Sequence, residues 1–276
     1  KGRACEAFRR AGHVRRFERS RTTNREEALE AEDIQTKEVE ETKLRPPESG
    51  ADFNPVEDVI YRRRSVRYYK KKQVPEYLVR RILEAGRFAP TAGNAQTWKP
   101  VVVQDRAMID EMTADVVKVC KLGTKYLDYS TPSSTGHKWA ADLVMRFRTN
   151  EFHPIPYAAM KLIAEGRLGL WHGAPTVILL LADMRTPGSP HVDIGIIGQN
   201  IVLAAHSLGL GTCWVSFCKP LIYNPKWKRR LGLRYPYKLV SSIAVGFPRG
   251  NPDGYIPRET KAIDWFAEDG SFKVLY

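Results

Sequence analysis

The apolar positions of this sequence change their spacing along the chain, and each spacing predicts one type of element. Val56, Val59 and Ile60 recur at helical spacing directly after Asn54 and Pro55, which suit the cap and the first position of a helix. The same period predicts three further helices, at Pro75–Ala85, Ile109–Cys120 and Asp193–Leu208. The last of these is apolar nearly all round, so we expect it to be buried on several sides.

Three short apolar runs predict strands between these helices. Two of them are Val101–Val103 and Ser241–Val245. The third, Val177–Leu181, is continuously apolar, which is typical of a central strand in a sheet. Because strands and helices alternate along the chain, the pattern indicates an α/β or α+β domain.

The first 52 residues differ from the rest in composition. Residues 1–21 are rich in Arg, and residues 22–45 are mostly acidic and polar. We predict that 1–52 form an N-terminal extension, either a solvated tail or an arm that wraps a partner subunit. A single domain is predicted at 53–276, with residues 121–172 as a lid insertion.

Composition and charge narrow the classes of function. With 276 residues, 43% of them hydrophobic, the chain is long enough to bury a sizeable core. A net charge of +13 suits an anionic partner, namely a phosphorylated cofactor, an acidic redox protein or nucleic acid. The basic runs lack the interleaved aromatic residues of a nucleic-acid motif, which argues against the last of these.

The apolar runs and the cysteines exclude further classes. The longest apolar run, Val177–Ala182, is far shorter than the roughly 20 residues of a membrane span. The four cysteines are too few and too scattered for a disulfide scaffold. They include no CxxC pair, which argues against a zinc ribbon or an iron–sulfur module, and no metal site is expected. A reducing, cytoplasmic setting is therefore expected.

Three separated segments carry candidate chemistry. Arg62–Arg67 combines guanidiniums with a hydroxyl, which suits a phosphate, although basic residues at a helix end also complement the helix dipole. Ala89–Trp98 is a small-residue loop whose amides suit the edge of a heterocycle or cap the neighbouring backbone. Asp193–Trp214 contains the buried helix and the glycine turn after it. This turn is either part of a binding site or an ordinary glycine end of a helix.

Taken in order, these segments resemble the nitroreductase family of flavin enzymes. The family pattern reads RRSxR, APSxxNxQPW, DxGxxxQNxxLAAxxLGLGTCW and VGFP. Its matches here are Arg63–Arg67, Ala89–Trp98, Asp193–Trp214 and Val245–Pro248. The resemblance covers about residues 55–265, with Thr91 in place of the usual Ser and Thr97 in place of the usual Pro.

The resemblance implies an α+β fold, an α/β/α sandwich around a mostly antiparallel sheet, in an intertwined homodimer. It also implies that FMN binds at the subunit interface. In this sequence the FMN phosphate and ribityl chain are assigned to Arg63, Arg64 and Ser65, with Arg67 nearby. The assigned ring contacts are Pro90, Thr91, Asn94 and Gln96, with Gly211, Thr212 and Trp214 towards flavin N5. Two basic residues near the C-terminus, Arg258 and Lys261, are further candidates for the phosphate.

The lid predicts the kind of substrate. Its aromatic residues favour stacking of a flat aromatic molecule on the flavin, with Trp139 as the first candidate, although several of them are expected only to pack the lid. His137, His153 and His172 are candidate substrate contacts or plain structural residues. The segment around Trp139 loosely resembles the lid of iodotyrosine deiodinase, in the same family.

That lid resemblance fails where the deiodinase grips its substrate. Its Glu, Tyr and Lys correspond here to Leu127, Thr131 and His153. An apolar side chain, a short hydroxyl and an imidazole do not reproduce that grip. Ser216 still stands where a hydroxyl would reach flavin N5.

The function implied by the resemblance is an FMN-dependent oxidoreductase with ping-pong turnover. It would reduce a nitroaromatic, a quinone or a similar flat acceptor, using NAD(P)H or an acidic electron-transfer protein as donor. One alternative is a specialised member of the family, such as a reductive dehalogenase or an enoate-type reductase or dehydrogenase. An alternative of another class is a flavin-binding or nucleic-acid-binding protein without turnover.

Overall fold

A computed structural model describes residues 53–126, 136, 139, 143, 146, 154–186, 188–252, 256, 258, 259 and 261–275. Contacts divide the chain into two compact units, one of them Phe53–Ile256 and the other containing the described residues from 258 onwards. The helices of the first unit are α1 (Pro55–Arg62), α2 (Glu76–Arg87), α3 (Arg106–Tyr126), α4 (Pro154–Ala164), α5 (Pro190–Ser207) and α6 (Pro225–Arg230). Its strands are β1 (Trp98–Val103), β2 (Thr176–Asp183), β3 (Gly211–Val215) and β4 (Tyr237–Gly246).

The four strands form one antiparallel sheet in the order β1-β2-β4-β3. Trp98 pairs with Ala182 at one end, and Thr176 pairs with Val245 near the other. The predicted central position of Val177–Leu181 is confirmed, since β2 lies between β1 and β4 and this run is fully buried. No described helix is long and apolar enough to cross a membrane.

Helices cover both faces of the sheet, and the alternation of side chains along β2 shows how. Val177, Leu179 and Leu181 join a core that includes α3 and α4. Ile178 and Leu180 point the other way, into a core with α2 and α5. The predicted α+β sandwich around an antiparallel sheet is therefore confirmed.

The predicted helices form where the sequence pattern placed them. Asn54 caps α1, because its side-chain oxygen accepts from Val56 N at 3.0 Å and Glu57 N at 3.1 Å, while the Glu57 carboxylate accepts from Asn54 N. The apolar face of α3 is buried as expected, from Ile109 to Cys120. Helix α5 begins at Pro190, three residues before the predicted start.

The second unit contains a short hairpin. Its strands are β5 (Ile263–Phe266) and β6 (Phe272–Leu275), which pair antiparallel. Arg258 and Lys261 precede this hairpin, and Lys261 forms an exposed ion pair with Glu259 at 2.7 Å. The extension 1–52 lies outside the described residues and remains a prediction, as do the proposed domain bounds.

Candidate active site

The basic cluster, Arg63–Arg67, is attached to the start of β3. Ser65 forms a parallel bridge with Thr212, and Val66 N donates to Thr212 O at 2.8 Å. A Cβ on Gly211 would lie 2.8 Å from the Cβ of Val66, so only glycine allows the two backbones to approach this closely. The structure thus brings Ser65, Gly211 and Thr212 together.

A cleft opens beside this attachment. Its volume is about 160 Å³, and Arg63, Arg64 and Thr212 are among its lining residues. Complete small-molecule pockets measure roughly 300–1,000 Å³, so this cleft accommodates a small group and not a whole cofactor. The guanidiniums of Arg63 and Arg64 beside this cleft suit an anionic group such as a phosphate.

The amide loop, Thr91–Gln96, is a second and separate structure. Gln96 N donates to Thr91 Oγ1 at 3.0 Å, and Gln96 Nε2 donates to Asn94 Oδ1 at 3.3 Å. Gly93, Asn94 and Gln96 all have positive φ angles, between 47° and 57°. Such strained backbone persists only where its surroundings hold it, and it clusters at ligand sites. The loop presents its amides to the outside, since Asn94 and Gln96 are exposed.

A buried contact fixes the end of this loop to α5. Thr97 Oγ1 donates to Asp193 Oδ2 at 2.7 Å, and both residues are about 4% exposed. The departure from the family's Pro at position 97 therefore supplies a partner for a buried carboxylate. The sequence marked both positions, but the contact spans 96 residues and no local pattern predicts it.

The cluster and the loop lie at opposite ends of the sheet. Ser65 bridges Thr212, which pairs with Val245 near the start of β2, whereas the loop leads into Trp98 at the end of β2. The distance is about 20 Å along the strands, plus about 14 Å across them, at standard strand spacings. One chain therefore brings the predicted phosphate contacts together with Gly211 and Thr212, but not with the ring contacts of the amide loop.

Ser216 follows β3, and its hydroxyl lies 3.2 Å from that of Ser241. The neighbouring Ser242 makes separate contacts: its Oγ donates to Val215 O at 2.7 Å and accepts from Trp171 Nε1 at 2.9 Å. Ser216 is exposed while Ser241 and Ser242 are buried, so an accessible hydroxyl contacts a buried one.

His172 is a residue whose place near the cluster only the structure shows. Its backbone is left-handed, with φ at 55°, and its side chain is half-buried. Burial lowers the pKa of His172, and the nearby Arg67 guanidinium lowers it further. For Cys213, burial raises the pKa of the thiol, against the opposing effects of Arg67, Ser65 and Arg63. Arg67 is therefore near enough to both His172 and Cys213 to influence their pKa values.

Other predicted site residues have separate locations. Trp139 has helical backbone and is 67% exposed. Trp214 packs on α5, where a Cβ on Gly198 would lie 2.1 Å from its ring. The positions that correspond to the deiodinase grip, Leu127, Thr131 and His153, lie outside the described residues, as does His137. No group of three potential metal ligands occurs among the described residues.

Comparison with known proteins places this arrangement in a family. A sequence profile of the Nitroreductase family matches residues 60–247. A putative NADH dehydrogenase/NAD(P)H nitroreductase of Methanothermobacter thermautotrophicus is 30% identical over 200 residues, 71% of this chain and 78% of that protein. Iodotyrosine deiodinase 1 of Pongo abelii is 26% identical over 193 residues, 69% of this chain and 60% of that protein.

A solved structure supports the same assignment at the level of fold. A nitroreductase of Desulfitobacterium hafniense, crystallised with bound FMN, superposes with a TM-score of 0.54 at 24% identity, covering 75% of this chain and 96% of that one. The predicted resemblance is confirmed: this chain belongs to the nitroreductase family.

Proposed function

We propose that this protein is an FMN-dependent oxidoreductase that reduces a flat aromatic acceptor, such as a nitroaromatic or a quinone. The observation that carries the proposal is the glycine-dependent attachment of the basic cluster to β3, with a cleft for an anion beside it. Family membership and the FMN bound to the Desulfitobacterium nitroreductase support the choice of cofactor.

The residues present fit FMN in two parts. Arg63, Arg64 and Ser65 would hold the phosphate and the ribityl chain beside the cleft. Asn94 and Gln96 would offer donors and acceptors to a ring edge, and the loop is already fixed in shape. Since the two parts lie at opposite ends of one sheet, we propose a homodimer in which the loop of one subunit faces the cluster of the other.

The chain's own groups would support turnover as follows. When bound, FMN would supply hydride and electron transfer in a ping-pong sequence. The proposed donor is NAD(P)H, because the name of the Methanothermobacter relative includes it. Arg67 would place a positive charge where negative charge develops on reduction. Burial and Arg67 both lower the pKa of His172, which favours the neutral imidazole beside this charge.

A reductive dehalogenase is the second candidate, favoured by one observation. The Ser216 hydroxyl is exposed and lies 3.2 Å from that of Ser241. By the family resemblance, a hydroxyl at this position would reach flavin N5. Similarity to iodotyrosine deiodinase points the same way. A panel of nitroaromatic, quinone and halophenol acceptors, offered to the protein after anaerobic reduction, distinguishes the two candidates.

Comparing FMN with riboflavin tests the cofactor site, because riboflavin lacks the phosphate. Arg63→Ala or Arg64→Ala should weaken FMN binding by about 1.5–3 kcal/mol, since a charge-assisted hydrogen bond is lost. Riboflavin affinity should change little. Arg81→Ala, which removes an exposed cation from α2, is the matched control. Unchanged FMN affinity in both cluster variants would place the phosphate elsewhere.

Sedimentation tests the proposed homodimer. We expect a dimer at micromolar concentration whose flavin is lost when the subunits separate. A monomer that retains FMN would contradict the composite site.

A further inference from the structure

One face of the first unit carries an unusual excess of positive charge. Residues 194–252 contain no Asp or Glu and eight Lys or Arg. Five of these cations are exposed and lie in α6, in the loop after it or at the start of β4. They are Lys228, Arg229, Arg230, Arg234 and Lys238. We call these five residues the basic face.

The acidic groups next to the basic face are already paired. Glu111 pairs with Lys226 on α6, Asp115 pairs with Lys118 and accepts from Trp227, and Asp183 pairs with Arg185. No member of the basic face forms an ion pair with any residue that the structure describes. The positive charge of this face is therefore not neutralised within the described chain.

The basic face borders the amide loop. Tyr237, between Arg234 and Lys238, lies with Gln96 and Thr97 around one cleft of about 320 Å³. The Nζ of Lys99, on β1, stacks over the Tyr237 ring at 4.6 Å. A partner bound to the basic face would thus lie beside the loop that we assign to the flavin ring.

We propose that the basic face is a docking surface for an acidic electron-transfer protein, which serves as an electron donor in addition to a nicotinamide. The proposal rests on the proposed function, because it places the partner at the edge of the assigned flavin site. Charge complementarity steers such encounters and sets their orientation. Exposed Tyr223 and Tyr235, at 66% and 79%, add the aromatic surface that is enriched in protein interfaces together with Arg.

The redox step balances with a one-electron partner. Two molecules of the reduced partner would each pass one electron to bound FMN, and water would supply the two protons that a quinone or nitro group takes up with these electrons. Together they supply the two-electron reduction that the proposed function requires. The location next to the amide loop favours a redox protein over nucleic acid, because nucleic acid is not an electron donor for a flavin.

Binding of an acidic two-iron ferredoxin to the flavin-free chain tests the docking surface. Lys228→Glu/Arg229→Glu reverses two exposed charges whose side chains form no hydrogen bond or ion pair with a described residue, so the fold should persist. We expect at least about tenfold weaker binding in this variant, and binding by the unchanged protein that falls steeply with salt. Lys121→Glu/Lys125→Glu makes the same charge change on α3 and should leave affinity within about twofold.

Reduction kinetics then test the role of the partner. With FMN bound, reduced ferredoxin should reduce the Lys228→Glu/Arg229→Glu protein at least about tenfold more slowly than the unchanged protein, while reduction by NADH stays the same. Equal ferredoxin binding by both charge-reversal variants, or none by the unchanged protein, overturns the proposal. So does tight binding of a single-stranded oligonucleotide that ferredoxin does not displace. Failure of the flavin assignment would appear separately, in the FMN titration.

Discussion

The basic cluster and the amide loop are held in place by different means. The cluster depends on a strand outside itself, since Val66 hydrogen-bonds to Thr212 and packs on Gly211. The loop holds its own shape through Thr91, Asn94 and Gln96, and is anchored at one end by Thr97. One half of the proposed site is thus supported by the sheet, and the other half is an exposed, preformed loop available to a second subunit.

The largest effect should follow from Gly211→Ala. The new Cβ would lie 2.8–2.9 Å from three atoms of the β-branched Val66, which has little freedom to move. We expect a loss of about 1–3 kcal/mol in the free energy of unfolding, with weaker FMN binding because the cluster shifts. Urea denaturation and a flavin titration measure the two effects.

Gly123→Ala, in the last turn of α3, is the control for that substitution. Its Cβ would meet only the flexible Met160 side chain, at 3.4 Å or more, and helix propensity favours Ala by up to about 1 kcal/mol. A Gly211→Ala protein as stable as this control would show that the cluster does not depend on close packing against β3.

Thr97→Val should disturb the loop and leave the cluster unaffected. The change preserves shape but removes the donor to the buried Asp193 carboxylate, at a cost of about 1–3 kcal/mol. Both FMN and riboflavin should bind less tightly, since the ring contacts shift. Thr91→Val removes an acceptor from a more exposed site, so water replaces it and unfolding changes by less than about 1 kcal/mol. Equal effects of the two variants would contradict the role given to Asp193.

Substitutions of the two serines of β4 should have smaller effects on stability, and the two effects should differ in size. Ser242→Ala removes a buried hydroxyl that bonds to both Trp171 and Val215, so unfolding should become easier by about 1–2 kcal/mol. Ser241→Ala removes one partner of the exposed Ser216, and we expect less than about 1 kcal/mol. Thermal unfolding measures the loss of stability in both variants. A larger loss for Ser241→Ala than for Ser242→Ala would contradict the roles given to these two hydroxyls.

The smallest effect concerns the pH dependence of His172. Because the folded protein lowers its pKa, the unfolded chain binds the proton more readily. Its contribution to stability is therefore complete above the unfolded value of about 6.5 and decreases as pH falls below that value. His172→Asn, which tolerates left-handed backbone, should reduce the loss of stability between pH 7.5 and 5.5. NMR titration should show a higher pKa of His172 in the Arg67→Ala protein. An unchanged pKa would show that Arg67 does not influence His172.

Local chemistry explains why much of the fold was predictable. The cap at Asn54, the apolar face of α3 and the buried run of β2 each follow from neighbouring residues. The four motifs also identified the family in advance, because their order along the chain is part of the sequence. The partner of Asp193 and the position of His172 beside Arg67 had no such signal, since each depends on segments distant in the chain.

The sequence alone predicted α1, α2, α3 and α5, the strands β1, β2 and β4, and the residues that carry candidate chemistry. The elements α4, α6 and β3 and the β5–β6 hairpin were found only in the structure. Only the tertiary structure decided that the basic cluster and the amide loop lie at opposite ends of one sheet, and that the basic face borders the loop. The physical reason is that periodicity and capping act over a few residues. Strand order and register are instead set by the joint packing of both faces of the sheet, which no single segment encodes.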